Sequence, residues 1–265
     1  MTSSIALTAS AVLADAEPAA KRALKLAIIG DSITQGGGAH TPDKYNGVYE
    51  QSYRYPLWKN FVDAEWDVEM VGTVTAGFVN QPVYPDYKGK VFDRRNEGYW
   101  GWPLVNPNHT DDLDRKVQQN LKDKEFDMAI LQGGGNDIGH FKKEDYADEA
   151  AFNAACAEAI SDRVLKVVGT IRAINPAAPV FCVAQVATWE PQASITAATR
   201  KKIEALPADT PPVVFVELPG WVNNPDAPDT CTYDWIHTNA RGDKIIADAL
   251  FAAMKKHLEK FYKHH

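Results

Sequence analysis

The chain has 265 residues, of which 45% are hydrophobic and 24% charged, and a formal net charge of −7 at pH 7. A chain of this size and composition can close one core as a single domain. Its acidic balance, with no long block of like charges, argues against nucleic acid or an anionic membrane as the main partner. No apolar run approaches the roughly 18–20 residues that span a bilayer.

Residues 1–20 stand apart. Residues 5–13 are mildly apolar and Ala14-Asp15-Ala16 resembles a small-x-small cleavage site, but no Lys or Arg precedes the run. A signal peptide and a disordered Ala/Ser-rich leader both fit, so secreted or periplasmic export is favoured and a cytoplasmic location stays open. One folded domain is expected over 21–265.

Residues 24–29 form an apolar run that meets Gly30, then Ser32, then Gly36 to Gly38. This reads as a buried strand that stops abruptly with Ser32 at its carboxyl end, where parallel α/β sheets bind ligands. A helix is expected over 55–64, with Pro56 in its first turn. Residues 66–71 alternate apolar and charged, as a strand with one covered face does. The long aromatic stretch 73–110 has little periodicity and is taken as a substrate-side insertion carrying short elements. A helix follows over 113–121, and then 127–132 repeats the logic of the first strand, apolar until Gly133, Gly134 and Gly135.

Over 147–174 the residues Ile160, Val164, Val167, Val168, Ile171 and Ile174 share one helical face, and Asn175-Pro176 ends it. A strand at 180–185, a helix at 194–206, a strand at 213–217 and a loop at 219–228 lead to a last helix over 239–262, with Ile246, Leu250, Met254, Leu258 and Phe261 inward. Strands that are mostly apolar throughout, separated by helices, predict a single three-layer α/β/α domain with a five-stranded parallel sheet. The simplest strand order is flavodoxin-like, 2-1-3-4-5. Cys156, Cys182 and Cys231 show no metal-ligand spacing and allow at most one disulfide. Cys182, inside an apolar strand, reads as a small core residue.

Acyl transfer through a serine needs a nucleophile, a base, a group that orients the base, and donors for the oxyanion. Ser32 is the candidate nucleophile, although a serine there serves equally as a helix cap. His237 is the candidate base, with Asp234 three residues upstream to hold its Nδ1–H. Such Asp–His pairs are frequent on inert surfaces, and His40, His109 and His140 are rivals. Asn136, after the glycines of the third strand, offers an amide donor suited to an oxyanion, or else caps the next helix. Asp137 beside it reads as a structural partner. Gly101 could present its backbone N–H to the same oxyanion, or the aromatic turn around it simply packs.

These residues carry a resemblance. Gly30-Asp31-Ser32, the Gly101 segment, Gly133-Gly134-Gly135-Asn136-Asp137 and Asp234-x-x-His237 occur in the order of the four blocks of the GDSL/SGNH hydrolase superfamily. The resemblance implies an SGNH-hydrolase fold and a catalytic domain over 21–265, with Ser32 as nucleophile, His237 as base, Asp234 as its orienter, and an oxyanion hole of Ser32 N–H, Gly101 N–H and the Asn136 side chain. Within the superfamily the chain is similar to the carbohydrate-esterase branch that includes bacterial acetylxylan esterases. Asn96-Glu97-Gly98-Tyr99-Trp100-Gly101-Trp102 resembles that branch's second block, and Tyr53-Arg54-Tyr55-Pro56-Leu57-Trp58 its early helix. Three positions depart from the pattern: Trp100 stands where a small serine is usual, Ile33 where the name-giving leucine stands, and Thr238 where a proline is common.

Trp100, Trp102, Trp189 and Trp235 lie near a motif or strand end and are expected to wall the pocket, since flat rings suit sugars. Asp31 and Tyr99 are added to this substrate-binding set, whereas Trp58 and Trp66 read as core. The expectation is a serine esterase removing small acyl groups, acetyl above all, from carbohydrate such as acetylated xylan through an acyl-enzyme. A lysophospholipase, thioesterase or arylesterase of the same fold is the alternative, as is a non-catalytic carbohydrate-binding protein. No lid-like amphipathic helix favours an interfacial lipase, and no metal or organic cofactor is implied.

Overall fold

The strand Leu24–Gly30 (β1) registers most of the molecule, a computed structural model that describes residues 22–38, 51–207 and 211–263. The leader and all of 39–50, His40 included, lie outside the described residues, as do the side chains beyond Leu258, Phe261 included. One edge of β1 pairs with Met128–Gln132 (β4) along Leu26 to Gly30. The other edge is shared. Val68–Val71 (β2) pairs with Leu24 to Ala27, and the two-residue strand Glu97–Gly98 (β3) takes over at Ile29 and Gly30. Val180–Val183 (β5) and Val213–Val216 (β6) complete a wholly parallel sheet in the order β2-β1-β4-β5-β6. With β3 set aside, this is the flavodoxin-like order expected from the sequence.

Parallel strands need crossover helices and burial on both faces, and the side-chain alternation of β1 divides the core accordingly. Leu24, Leu26 and Ile28 join Phe181 and Val183 of β5 on one face. The helices Arg54–Asp63 (α2) and Ala240–Lys263 (α6) cover that face, with Phe61 of α2 set edge-on to Phe251 of α6 at 5.3 Å. Ala27 and Ile29 join Val180 and Cys182 on the other face, under Leu113–Leu121 (α3), Glu149–Ile174 (α4) and Gln192–Glu204 (α5). Asp112 and Asp148 begin α3 and α4 by accepting the N–H of Arg115 and Ala151, both at 2.8 Å, which satisfies amides the helix itself leaves unpaired.

Two strands are shorter by two residues than the sequence suggests. Trp66 closes the turn after α2 by donating its N–H to Phe61 O at 2.9 Å, so β2 starts only at Val68. Gln185 leaves β5 to donate its side-chain amide to Gly133 O at 2.6 Å. The strand β3 is invisible to periodicity because it has two residues. It fits beside β1 because position 98 is glycine: a Cβ there would lie 2.6 Å from the backbone nitrogen of Gln35. Among the described residues, no helix is long and apolar enough to cross a membrane.

Candidate active site

The chain leaves β1 at Gly30 and turns at once into a four-residue helix, Ser32–Gln35 (α1). Asp31 caps it, its Oδ1 accepting Ile33 N–H at 3.0 Å, and Ser32 is therefore the first helical residue, not the cap. A helix this short cannot stabilise itself. Its carbonyl end is held from outside: Arg54 Nε donates to Thr34 O at 2.7 Å, Arg54 Nη2 to Gln35 O at 3.2 Å, and Ser52 Oγ to Thr34 O at 2.8 Å. The Thr34 hydroxyl is fixed by Tyr53 OH at 2.9 Å and Gln132 Oε1 at 3.2 Å. Ser32 is thus set on a rigid mount, 5% exposed.

The loop between β6 and α6 brings His237 to it. Asp234 Oδ1 accepts the backbone N–H of Ile236 at 3.1 Å and of His237 at 2.7 Å, while Oδ2 lies 2.7 Å from His237 Nδ1. To turn this tightly, Trp235 takes φ +74°, a left-handed conformation costly for a bulky residue, of order 1–3 kcal/mol. The two amide bonds to Asp234 offset that strain. Thr238 then donates its hydroxyl to Asp243 Oδ1 at 2.6 Å and pairs across the loop with Thr232. The outcome is His237 Nε2 at 3.2 Å from Ser32 Oγ, across 205 residues of sequence.

The protons in this chain of contacts follow from charge. Burial pushes the Asp234 carboxyl up, but the His237 ring and the backbone amides of His237 and Ile236 outweigh it and hold the group at about 2. Ionised Asp234 only accepts, so Nδ1 carries a hydrogen, and in the neutral ring Nε2 is the acceptor facing the Ser32 hydroxyl. Two neighbouring carboxyls behave differently. Burial raises Asp31 to about 6 against the Ile33 amide and the charge of His237, and raises Asp243 to about 7 against Thr238 and Arg54.

Asn136 opens a short 3-10 helix, Asn136–His140, and its Nδ2 donates to Trp102 O at 3.1 Å, leaving the second amide hydrogen for another acceptor. Asp137 is buried and ties this turn to the preceding loop, accepting Leu104 N–H at 2.7 Å and pairing with Arg163 at 2.9 Å. Burial raises its carboxyl, with the Leu104 amide and Arg163 opposing. Gly101 turns at φ +77° with nothing within 4 Å of where a Cβ would sit.

The remaining expected residues divide. Trp100 stacks on the His237 ring with centroids 4.4 Å apart and planes 14° apart. Trp189 and Trp235 meet edge to face at 6.0 Å, 38% and 46% exposed, beside the His237 loop. Tyr99 and Trp102 stack on each other at 4.7 Å, and the Tyr99 hydroxyl donates to buried Glu97 at 2.6 Å. Asp31 is spent on the α1 cap. Of the rival bases, His140 sits 3.1 Å from Arg163 and His109 lies on an exposed loop where Asn106 accepts its N–H. Trp58 and Trp66 pack with the α2–α6 core. Two contributors had no signal in the sequence: Phe78, which stacks on Trp100 at 4.9 Å, and Gln35, whose Oε1 accepts Trp100 N–H at 2.7 Å.

The GDSL-like lipase/acylhydrolase family matches over residues 28–245. A carbohydrate esterase family 3 protein from Talaromyces cellulolyticus is similar in fold, with a TM-score of 0.67 at 19% identity over 89% of this chain and 99% of that one. A mutant acetyl esterase solved with an acetate ion gives 0.66 at 18% identity, covering 90% of this chain and 99% of its own. A family 3 carbohydrate esterase from Clostridium thermocellum gives 0.58 at 20% identity, covering 91% and 99%. No curated protein sequence gives a significant match.

The Asp234 carboxyl makes a pH prediction. Its folded value, about 2, lies below the ordinary 3.8, so the unfolded chain takes up the proton first. The contribution to stability is complete above about pH 4 and is lost as pH falls through the folded value. The difference in urea-unfolding stability between wild type and Asp234→Asn is therefore expected to shrink from pH 6 to pH 2.5, and a difference that holds constant or grows would contradict this.

Proposed function

The chain belongs to the GDSL-like lipase/acylhydrolase family, a family of carboxylic ester hydrolases, and on that premise we propose that it is a serine esterase removing small acyl groups, chiefly acetyl, from carbohydrate. The observation that carries this reading is the contact series from Asp234 through His237 to Ser32, at 2.7 and 3.2 Å. In this proposal Ser32 Oγ attacks the ester carbonyl while its proton passes to His237 Nε2. The imidazolium so formed lies against ionised Asp234, which also fixes the tautomer. The carbonyl oxygen becomes an oxyanion and is met by the backbone N–H of Ser32 and Gly101 and by the free hydrogen of Asn136 Nδ2.

Collapse of this intermediate breaks the bond to the sugar oxygen, which takes the proton from His237 and leaves as an alcohol. Water then adds to the acyl-enzyme while His237 accepts its proton; collapse breaks the bond to Ser32 Oγ, which takes that proton back from His237, and the released carboxylic acid ionises in water. Trp189 and Trp235 supply ring faces for the sugar, as an exposed pair beside the base, whereas the faces of Trp100 are taken by Phe78 and His237. The names of the similar structures, carbohydrate and acetyl esterases, support a small acyl group on a sugar. Export through the leader of residues 1–20 would bring the enzyme to a polymeric substrate.

Ser32→Ala is expected to lower kcat on p-nitrophenyl acetate and on acetylated xylan by about 10⁵–10⁶-fold, with folding unchanged. Asn136→Ala is expected to cost about 10²–10³-fold in kcat with little change in KM. Retained activity in Ser32→Ala would overturn the mechanism. An acyl-chain optimum at about eight carbons or longer, a length that needs a long apolar acyl pocket, would overturn the small-acyl substrate.

A further inference from the structure

Phe78, Trp100 and His237 form a continuous stack. The Phe78 and Trp100 rings are 4.9 Å apart and 6° from parallel, and Trp100 and His237 are 4.4 Å apart and 14° from parallel. The outer ring is open to solvent, with Phe78 52% exposed, whereas the His237 side chain is 16% exposed. Both aromatic residues hang from the mount that carries Ser32. The backbone N–H of Trp100 donates to Gln35 Oε1 at 2.7 Å, that of Tyr99 to Gly30 O at 2.9 Å, and those of Phe78 and Val79 to Gly36 O at 3.1 Å and Gly37 O at 2.9 Å. The indole therefore joins the nucleophile's element to the face of the candidate base, at a position where this chain departs from the small residue usual in the branch it resembles.

We propose that Trp100 is a positioning residue that fixes the plane of the His237 ring and stabilises its protonated form through the indole face. The inference rests on the esterase reading only in giving that protonated form a part in the reaction. A cation within about 6 Å of an indole centroid is attracted by the ring's negative face, and Trp is the strongest of the aromatic partners. Covering the imidazolium also removes water, which opposes this. Here the attraction prevails, because an imidazolium is hydrated at its two N–H groups, in the ring plane. Those two directions are taken by Asp234 and Ser32, not by Trp100. Among the described residues, charged groups about the ring include Asp234 on its own loop, against Nδ1, and Asp31 at the end of β1, which interacts with it through space.

In the reaction, the proton leaving Ser32 Oγ lands on Nε2 and produces the cation that the indole favours. The stack then lowers the barrier of attack without touching the ester. Phe78 backs the indole and limits its swing away from His237.

The test reads the histidine directly. The Cε1 proton of His237 is titrated by NMR in substrate-free wild type, Trp100→Phe and Trp100→Ala. Trp100→Ala is expected to lower the midpoint by about half a pH unit or more, with Trp100→Phe in between. The acid limb of kcat/KM on p-nitrophenyl acetate is expected to move by the same amount and in the same direction, with kcat falling more than KM changes. A midpoint unchanged or raised in Trp100→Ala overturns the proposal. Should that variant unfold, Phe78→Ala keeps the indole and removes its backing, and a smaller shift of the same sign is expected. No shift there counts against the stack. Because the titration needs no substrate, a lowered midpoint in a protein that cleaves no ester upholds the stack and overturns the esterase reading instead.

Discussion

The site depends on a helix too short to stand alone. One turn of helix forms one or two internal hydrogen bonds and leaves nearly all its polar ends unsatisfied. Here those ends are supplied from elsewhere in the chain. Asp31 closes the amide end, and buried Arg54 gathers the carbonyls of Thr34 and Gln35 and, from the long insertion, Arg94. The same turn then serves as an attachment point, with Gln35 holding Trp100 and Gly36 and Gly37 holding Phe78 and Val79. Ser32 is rigid because its surroundings over-determine it. The insertion, α2 and β1 all converge on this turn.

Three carboxyl groups near one histidine have three different environments, and their behaviour diverges accordingly. Asp234 receives two backbone amides and the imidazole N–H, and stays ionised down to about pH 2. Asp31 and Asp243 are buried with fewer donors and rise to about 6 and about 7. Asp234 is the carboxyl that keeps its charge furthest into acid, and its geometry also selects the tautomer. Asp243 acts one step away, by holding the Thr238 hydroxyl that closes the loop behind the histidine.

Much of this was legible in the sequence, for definite reasons. Apolar runs, those of β1 and β4 stopped by glycine, mark buried parallel strands because both faces are covered. The four-then-three spacing of Ile160, Val164 and Val167 marks α4 because one stripe meets the sheet. Four short motifs in register point to the superfamily because acyl transfer needs four kinds of group at strand ends. What escaped has no local signature. The strand β3 exists only because β1 offers two residues of free edge beyond Val71. Phe78 meets Trp100 through a loop whose path is set by hydrogen bonds to Gly36 and Gly37, and nothing near Phe78 in the sequence announces it. Ser32 read equally as the helix cap until the backbone showed that Asp31 takes that place.

The central claim is that Ser32 is a nucleophile activated by His237. Its most direct measurement is covalent trapping. The folded protein is treated with a fluorophosphonate ester, which phosphonylates activated serines, and the adduct is mapped by peptide mass spectrometry. One equivalent on the peptide carrying Ser32, with labelling lost in His237→Ala, is the expected result. Labelling elsewhere, or labelling of Ser32 that proceeds equally well without His237, would contradict the account.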